Sequence, residues 1–204
     1  DMKSMMEGFR FVFSSHVILA LMLLDVVAML FTHHRGLVPI FADDILKVGE
    51  FGFGLLLSAP AAGFLIGSVG LLIAGDVKRK GLVVIGTYAV YLVAISMFAV
   101  SRNFWLSLLA LAFVGGLDGV GAIMRSTILQ MAVPDEIRGR TTAVLQLSNR
   151  GGPSMGQVLL GATAAAITAP YALLVGAAIG AVVLVIMLLR VKGLLGYQGE
   201  MRRG

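Results

Sequence analysis

Three ionisable side chains stand where this chain can least tolerate them. Asp25 sits in "VILALMLLDVVAML", Asp118 in "FVGGLDGVG" and Arg150 in "LQLSNRGGPS", each inside a long apolar run. A charge withdrawn from water is costly unless it is paired or wetted, so such groups mark a functional site by default. Two acids and one base of this kind suit either of two tasks. They can form a fixed pair that holds helix register, or a site that takes up a proton or a substrate charge and releases it. Arg150 is expected to have Asp118 or Asp25 as its partner, and Asn149 is the neighbouring polar group that would reach the same site. Covalent catalysis has little support: there is no HExxH zinc motif and no cysteine. An intramembrane protease is a poor fit too, since "GGLDG" lacks the glycine directly before its aspartate.

Composition says what must position these groups. Hydrophobic residues make up 58% of the 204 and charged residues 13%, against about 25% charged in an ordinary soluble domain. About 20 apolar residues in a helix cross the roughly 30 Å hydrocarbon layer. Runs of that kind occur at about 17–42, 51–74, 82–100, 104–124, 141–167 and 171–189. They are continuously apolar, whereas barrel strands alternate. The fold class is therefore an all-α polytopic membrane protein, a six-transmembrane-helix bundle. Residues 1–15 place Met2, Met5, Phe9 and Phe13 near one helical face, as an amphipathic helix in the membrane interface would.

Six crossings put both termini on one side. Twelve lysines and arginines, Arg125 among them, fall there, while only Arg35, Lys47 and Arg102 fall on the other face. The positive-inside rule then puts both ends in the cytoplasm. The formal charge of +5 is thus topological, and no aromatic interleaving points to nucleic acid. Counted along the helices, Asp25, Asp118 and Arg150 come to similar depths, roughly 9–13 Å from the cytoplasmic border.

Local signals refine this frame. "VPDEIRGR" sets Pro134, Asp135 and Glu136 at a helix start, where a missing N–H is harmless and carboxylates are favoured, with Arg138 and Arg140 anchoring the next crossing. In "THHRGLVP", Gly36 and Pro39 weaken the helical ladder, so a kink in the first span is expected. His33 and His34 beside it point about 100° apart on a helix, which excludes a shared metal ion. They read as an interfacial anchor or as a contact for anionic substrate near the outer mouth. Glycine pairs four residues apart (Gly63/Gly67, Gly115/Gly119, Gly152/Gly156, Gly176/Gly180) mark faces where helices pack closely.

"RSTILQMAVPDEIRGRTTAVLQL" followed by "GGPSMGQVLLG" resembles the connector and eleventh helix of major facilitator superfamily transporters. It is most similar to the branch of drug, macrolide and siderophore exporters called transmembrane secretion effectors. "EGFRFVF" and "GLVPIFADDILKVGEFGFGLLLSAPAAGFLIGS" extend the likeness upstream, and "GDVKRKG" is a worn version of the cytoplasmic loop between paired helices. The resemblance implies the C-terminal six-helix half of a twelve-helix exporter in a bacterial cytoplasmic membrane. It implies a small-molecule substrate, protons as the exchanged ion, the lipid bilayer and an N-terminal half as partners, and no cofactor or metal. Asp76, Arg79, Asp135, Glu136, Arg138 and Arg140 become gating candidates on that basis. A rival expectation is a standalone six-helix channel or carrier acting as a dimer. The opening Asp1, in place of Met, suits a segment of a longer product.

Overall fold

The computed structural model describes residues 16–75, 77, 79–132, 139 and 154–190, and every regular element among them is helical. In chain order they are α1 (His16–Phe31), α2 (Val38–Ile45), α3 (Gly49–Ala74), α4 (Lys80–Val100), α5 (Phe104–Ala132), α6 (Ser154–Ile167) and α7 (Ala169–Arg190). α3, α4, α5 over Phe104–Ile128, and α7 are each long and apolar enough to cross a membrane. Helix is forced on such segments because lipid offers no partner for a backbone N–H or C=O. The protein is an all-α polytopic membrane protein. The interfacial helix expected over residues 1–15 and the start of the run at 141–167 lie outside the described residues.

α1 and α2 form one bent apolar pair: Met22–Gly36 and Val38–Ile45 meet at 41° across Leu37. The bend falls in "THHRGLVP", where a glycine and a proline were expected to weaken the ladder. A short 3-10 turn, His34–Gly36, fills the break, and the chain resumes with Pro39 in the first turn of α2. There a missing N–H removes no bond. The second half of α2 is a π turn, in which the Leu46 N–H donates to the Phe41 carbonyl at 2.8 Å. A buried core closes around this break, with Phe41 against Phe98 at 4.4 Å between ring centres and Leu56, Ile95, Leu111 and Leu173 fully buried.

Turn chemistry aligns α4 with α5. Asn103 caps α5 by accepting the Leu106 N–H at 3.1 Å, and Ser107 donates to the Ser101 hydroxyl at 2.9 Å.

Helices in lipid gain little from hiding apolar surface from one another; close van der Waals packing holds them together. The glycine pairs supply it. A Cβ on Gly63 or Gly67 would collide with the carbonyls of Ala112 and Gly116, and one on Gly115 with that of Pro60. α3 and α5 therefore touch backbone to backbone. Gly156 admits the Met29 carbonyl and Gly176 that of Phe31, which brings α6 and α7 onto α1. Gly152 lies outside the described residues.

Candidate functional site

α5 does not stop at Met124, where the apolar run seems to end. It continues to Ala132, so Arg125 lies within the helix and not in a cytoplasmic connector. Asp118, Gly121 and Arg125 fall at i, i+3 and i+7 and so share one face. Long helical side chains lean toward the N-terminus, and Arg125 does so across Gly121, where a Cβ would come within 2.9 Å of Nη1. Nη2 then meets Asp25 Oδ1 of α1 at 2.8 Å and lies 3.8 Å from Asp118 Oδ1.

The three side chains differ in exposure. Arg125 is 16% exposed, Asp25 25% and Asp118 60%. The short bond is the sheltered one, and the long contact reaches a carboxylate that stands largely free of the bundle. Two carboxylates share one guanidinium, so the cluster carries a formal charge of −1 when both acids are ionised. One added proton brings it to zero.

Beside the cluster is a cavity of about 20 Å³, enough for one water molecule. Asp25 and Ala28 of α1, Thr87, Tyr88 and Tyr91 of α4, and Leu117, Asp118 and Arg125 of α5 line it. Thr87 directs its hydroxyl to the carbonyls of Val83 and Val84 at 2.9 and 3.0 Å. The rings of Tyr88 and Tyr91 stack nearly parallel, 6.2 Å apart and 8° from coplanar. The Tyr91 hydroxyl lies 3.1 Å from Thr32 Oγ1 and 3.3 Å from the Thr32 carbonyl, while Thr32 Oγ1 donates to Ala28 at 2.7 Å. α1 is thus tied to α4 at the residue where it begins to break.

The remaining candidates divide cleanly. The structure brings Asp25 and Asp118 together around Arg125. It sets His33 and His34 at the break instead, where His34 presents its ring edge to Phe98 at 6.3 Å. The His34 backbone N–H donates to Thr32 at 2.8 Å, and its ring Nδ1 is buried without a partner. Gln157 of α6 packs its stem against Gly36. Arg79 is exposed just before α4. Asp76, Asp135, Glu136, Arg138, Arg140, Asn149 and Arg150 lie outside the described residues. Among the described residues, no group of histidines and acids could hold a metal ion.

Arg125 is the residue that sequence reasoning missed as a site residue. Its signal was present: a base seven residues after an acid in an apolar run, with a glycine between them on the same face.

Among the described residues, membrane-length helices around a partly sheltered ion cluster define an all-helical polytopic membrane protein. Comparison with known sequences narrows the class. The chain matches the profile of the transmembrane secretion effector family over residues 2–195, and it belongs to that family, a branch of the major facilitator superfamily of membrane transporters. It is 30% identical over 192 residues to the enterobactin exporter EntS of Escherichia coli O1:K1 / APEC, an alignment covering 93% of this chain and 45% of the exporter. The enterobactin exporter EntS of Shigella boydii serotype 18 is 28% identical over 191 residues, with the same 93% and 45% coverage. The chain spans about half the length of the curated relatives it matches. No solved structure matches it.

Proposed function

We propose that this chain serves as the C-terminal six-helix half of a proton-coupled small-molecule exporter of a bacterial cytoplasmic membrane, with both of its ends in the cytoplasm. The Asp25–Arg125–Asp118 cluster is its proton site. The observation that carries this reading is the sharing of one guanidinium by two carboxylates inside apolar helices.

With both acids ionised, Arg125 holds α1 to α5 through Asp25. A proton on Asp25 removes the charge that Arg125 answers, and the guanidinium is then free to turn wholly to the exposed Asp118. Protonation thereby loosens the α1–α5 contact, which is the coupling that alternating access requires. The curated relatives, named as enterobactin exporters, support outward movement of a small molecule. The uneven spread of lysines and arginines supports the orientation. On this reading the substrate lies near the bilayer midplane between two halves, and His33, His34, Asn149 and Arg150 remain candidates for contacting it. The charged loops around Asp76 and Arg79, and around Asp135, Glu136, Arg138 and Arg140, are candidates for gating.

The test uses the natural gene product in inverted membrane vesicles. Asp25→Asn, Asp118→Asn and Arg125→Ala should each lose proton-driven uptake while remaining at normal abundance in the membrane. The double variant Asp25→Asn with Arg125→Gln separates coupling from register, because a neutral pair restores packing but cannot cycle a proton. Normal transport by the three single variants, or restored coupling in the double one, would overturn the proposal.

A further inference from the structure

Three contacts converge on one turn of the helix that carries Asp25. Gly156 of α6 admits the Met29 carbonyl and Gly176 of α7 admits that of Phe31, so two other backbones close on α1 within three residues. Thr32 follows directly and is fully buried. Its hydroxyl donates at 2.7 Å to the Ala28 carbonyl, which already accepts the Thr32 N–H at 3.0 Å. With that proton committed, Tyr91 of α4 is the donor toward Thr32, to Oγ1 at 3.1 Å and to the carbonyl at 3.3 Å. A hydroxyl that shares the acceptor one turn back weakens and bends a helix there. The turn held from three sides is thus also a point at which α1 can bend.

The chain is held differently on either side of it. Beyond the turn, Leu37, Val38, Phe41 and Ala42 are each at most 2% exposed and belong to the apolar core. Before it, Leu23 and Val26 stand exposed, and α1 packs along α7 and reaches α5 through the bond from Arg125 to Asp25. Core packing is indifferent to charge, whereas an ion pair is not.

We infer that residues 29–32, pinned by Tyr91 and the two glycine contacts, are a fulcrum: loss of charge on Asp25 releases the preceding arm of α1, which tilts about this turn while α2 stays in the core. The inference rests on the proton-coupled reading and adds to it which part moves and where it turns. Tyr91 is then a positioning residue that acts through Thr32. Among the described residues, Tyr88 and Tyr91 from α4 and Asp118 and Arg125 from α5 share the cavity of Asp25. Leu23 lies nine residues before Thr32, roughly 13 Å along a helix, so a tilt of about 10° carries it roughly 2 Å.

Distances between paired spin labels test the fulcrum in the natural gene product carrying cysteines only at the chosen positions. Leu23→Cys with Leu82→Cys reports the arm against α4, and Ile40→Cys with Val100→Cys reports α2 against the same helix; all four side chains are exposed. Adding Asp25→Asn should shift the first distance by about 2 Å or more and leave the second within about 1 Å. Equal shifts in both would mean that α1 and α2 tilt as one rod, and end the inference. No shift in either, with proton-driven transport lost in Asp25→Asn, overturns the fulcrum and leaves the exporter reading standing. Normal transport by Asp25→Asn removes both. Tyr91→Phe keeps the ring stacked on Tyr88 and deletes the donor to Thr32. A fulcrum takes the load that would otherwise pass on, so in this background Asp25→Asn should move the second distance as well, which a merely stabilising tyrosine would not produce. A second distance still fixed would show that Tyr91 pins nothing and overturn the inference.

Discussion

α5 presents two faces that use glycine for opposite ends. Toward α3, Gly115 and Gly119 meet Pro60 and Phe64, while Gly63 and Gly67 meet Ala112 and Gly116, so that two backbones touch along a dry seam. Toward α1 and α4, Gly121 leaves room for something quite different, the guanidinium of Arg125 on its way to Asp25. The first face has no freedom: what fills the missing side-chain space is backbone, which cannot step aside. The second holds the mobile end of a long side chain beside a polar cavity. A transporter needs both, a rigid pair of helices that moves as one body and a seam whose contacts change with charge. The difference lies in what occupies the glycine's empty space, and the residue type alone does not reveal it.

The dry seam should break first. Gly115→Ala or Gly63→Ala drives a methyl group into a carbonyl oxygen of the facing helix, and the helices must part along their length. Overpacking of this kind costs about 1–3 kcal/mol, with lost contacts along the seam adding to it. Thermal unfolding in detergent, followed by fluorescence-detected size exclusion, should show a fall of several degrees and less protein recovered from membranes. An unchanged melting temperature would mean that α3 and α5 do not touch as described.

The same substitution at Gly121 should leave the fold standing and disturb function instead. The new methyl meets only Arg125 Nη1 and Thr87 Oγ1, and a guanidinium can swing away. The gain in helix propensity, about 1 kcal/mol for Gly to Ala, offsets much of the crowding. Stability should change by less than about 1 kcal/mol, while Arg125 is displaced from Asp25 and proton-driven transport falls. Full transport in Gly121→Ala would show that the exact path of Arg125 does not matter.

How far the sequence reveals this contrast depends on the length scale of each signal. The fold class is legible because continuous apolar runs have one viable conformation in lipid. The bend is legible because Gly36 and Pro39 both weaken the ladder within four residues. Asp25 and Asp118 stand out as isolated acids in oil. Arg125 does not stand out, because a run of about 20 apolar residues appears to end at Met124 and a base beyond it resembles a border anchor. The helix in fact extends to Ala132, and a side chain leaning back toward the N-terminus returns the charge to the interior. Partner choice was equally hidden. Arg125 lies seven residues from Asp118 but a hundred from Asp25, and only the three-dimensional arrangement brings it to Asp25; Arg150 lies outside the described residues. The buried hydroxyl of Tyr88, which has no hydrogen-bond partner among the described residues, has no sequence signal.

The smallest effect belongs to a third glycine environment, and it calibrates the other two. Gly70 lies on α3 one turn beyond Gly67, yet a Cβ there meets nothing within 4 Å. With no clash to relieve, Gly70→Ala should act only through the backbone. It removes the extra conformational freedom of glycine, for a gain of about 0.5–1 kcal/mol. The expected outcome is a melting temperature unchanged or raised by a degree or two, with normal transport. That sign is opposite to the one expected at Gly63, seven residues earlier on the same helix, so the variants at Gly63, Gly121 and Gly70 measured side by side separate contact from propensity. A clear loss of stability in Gly70→Ala, measured in the natural gene product, would mean that a further surface closes on this stretch of α3, and that the backbone-to-backbone seam extends to a second helix beyond α5.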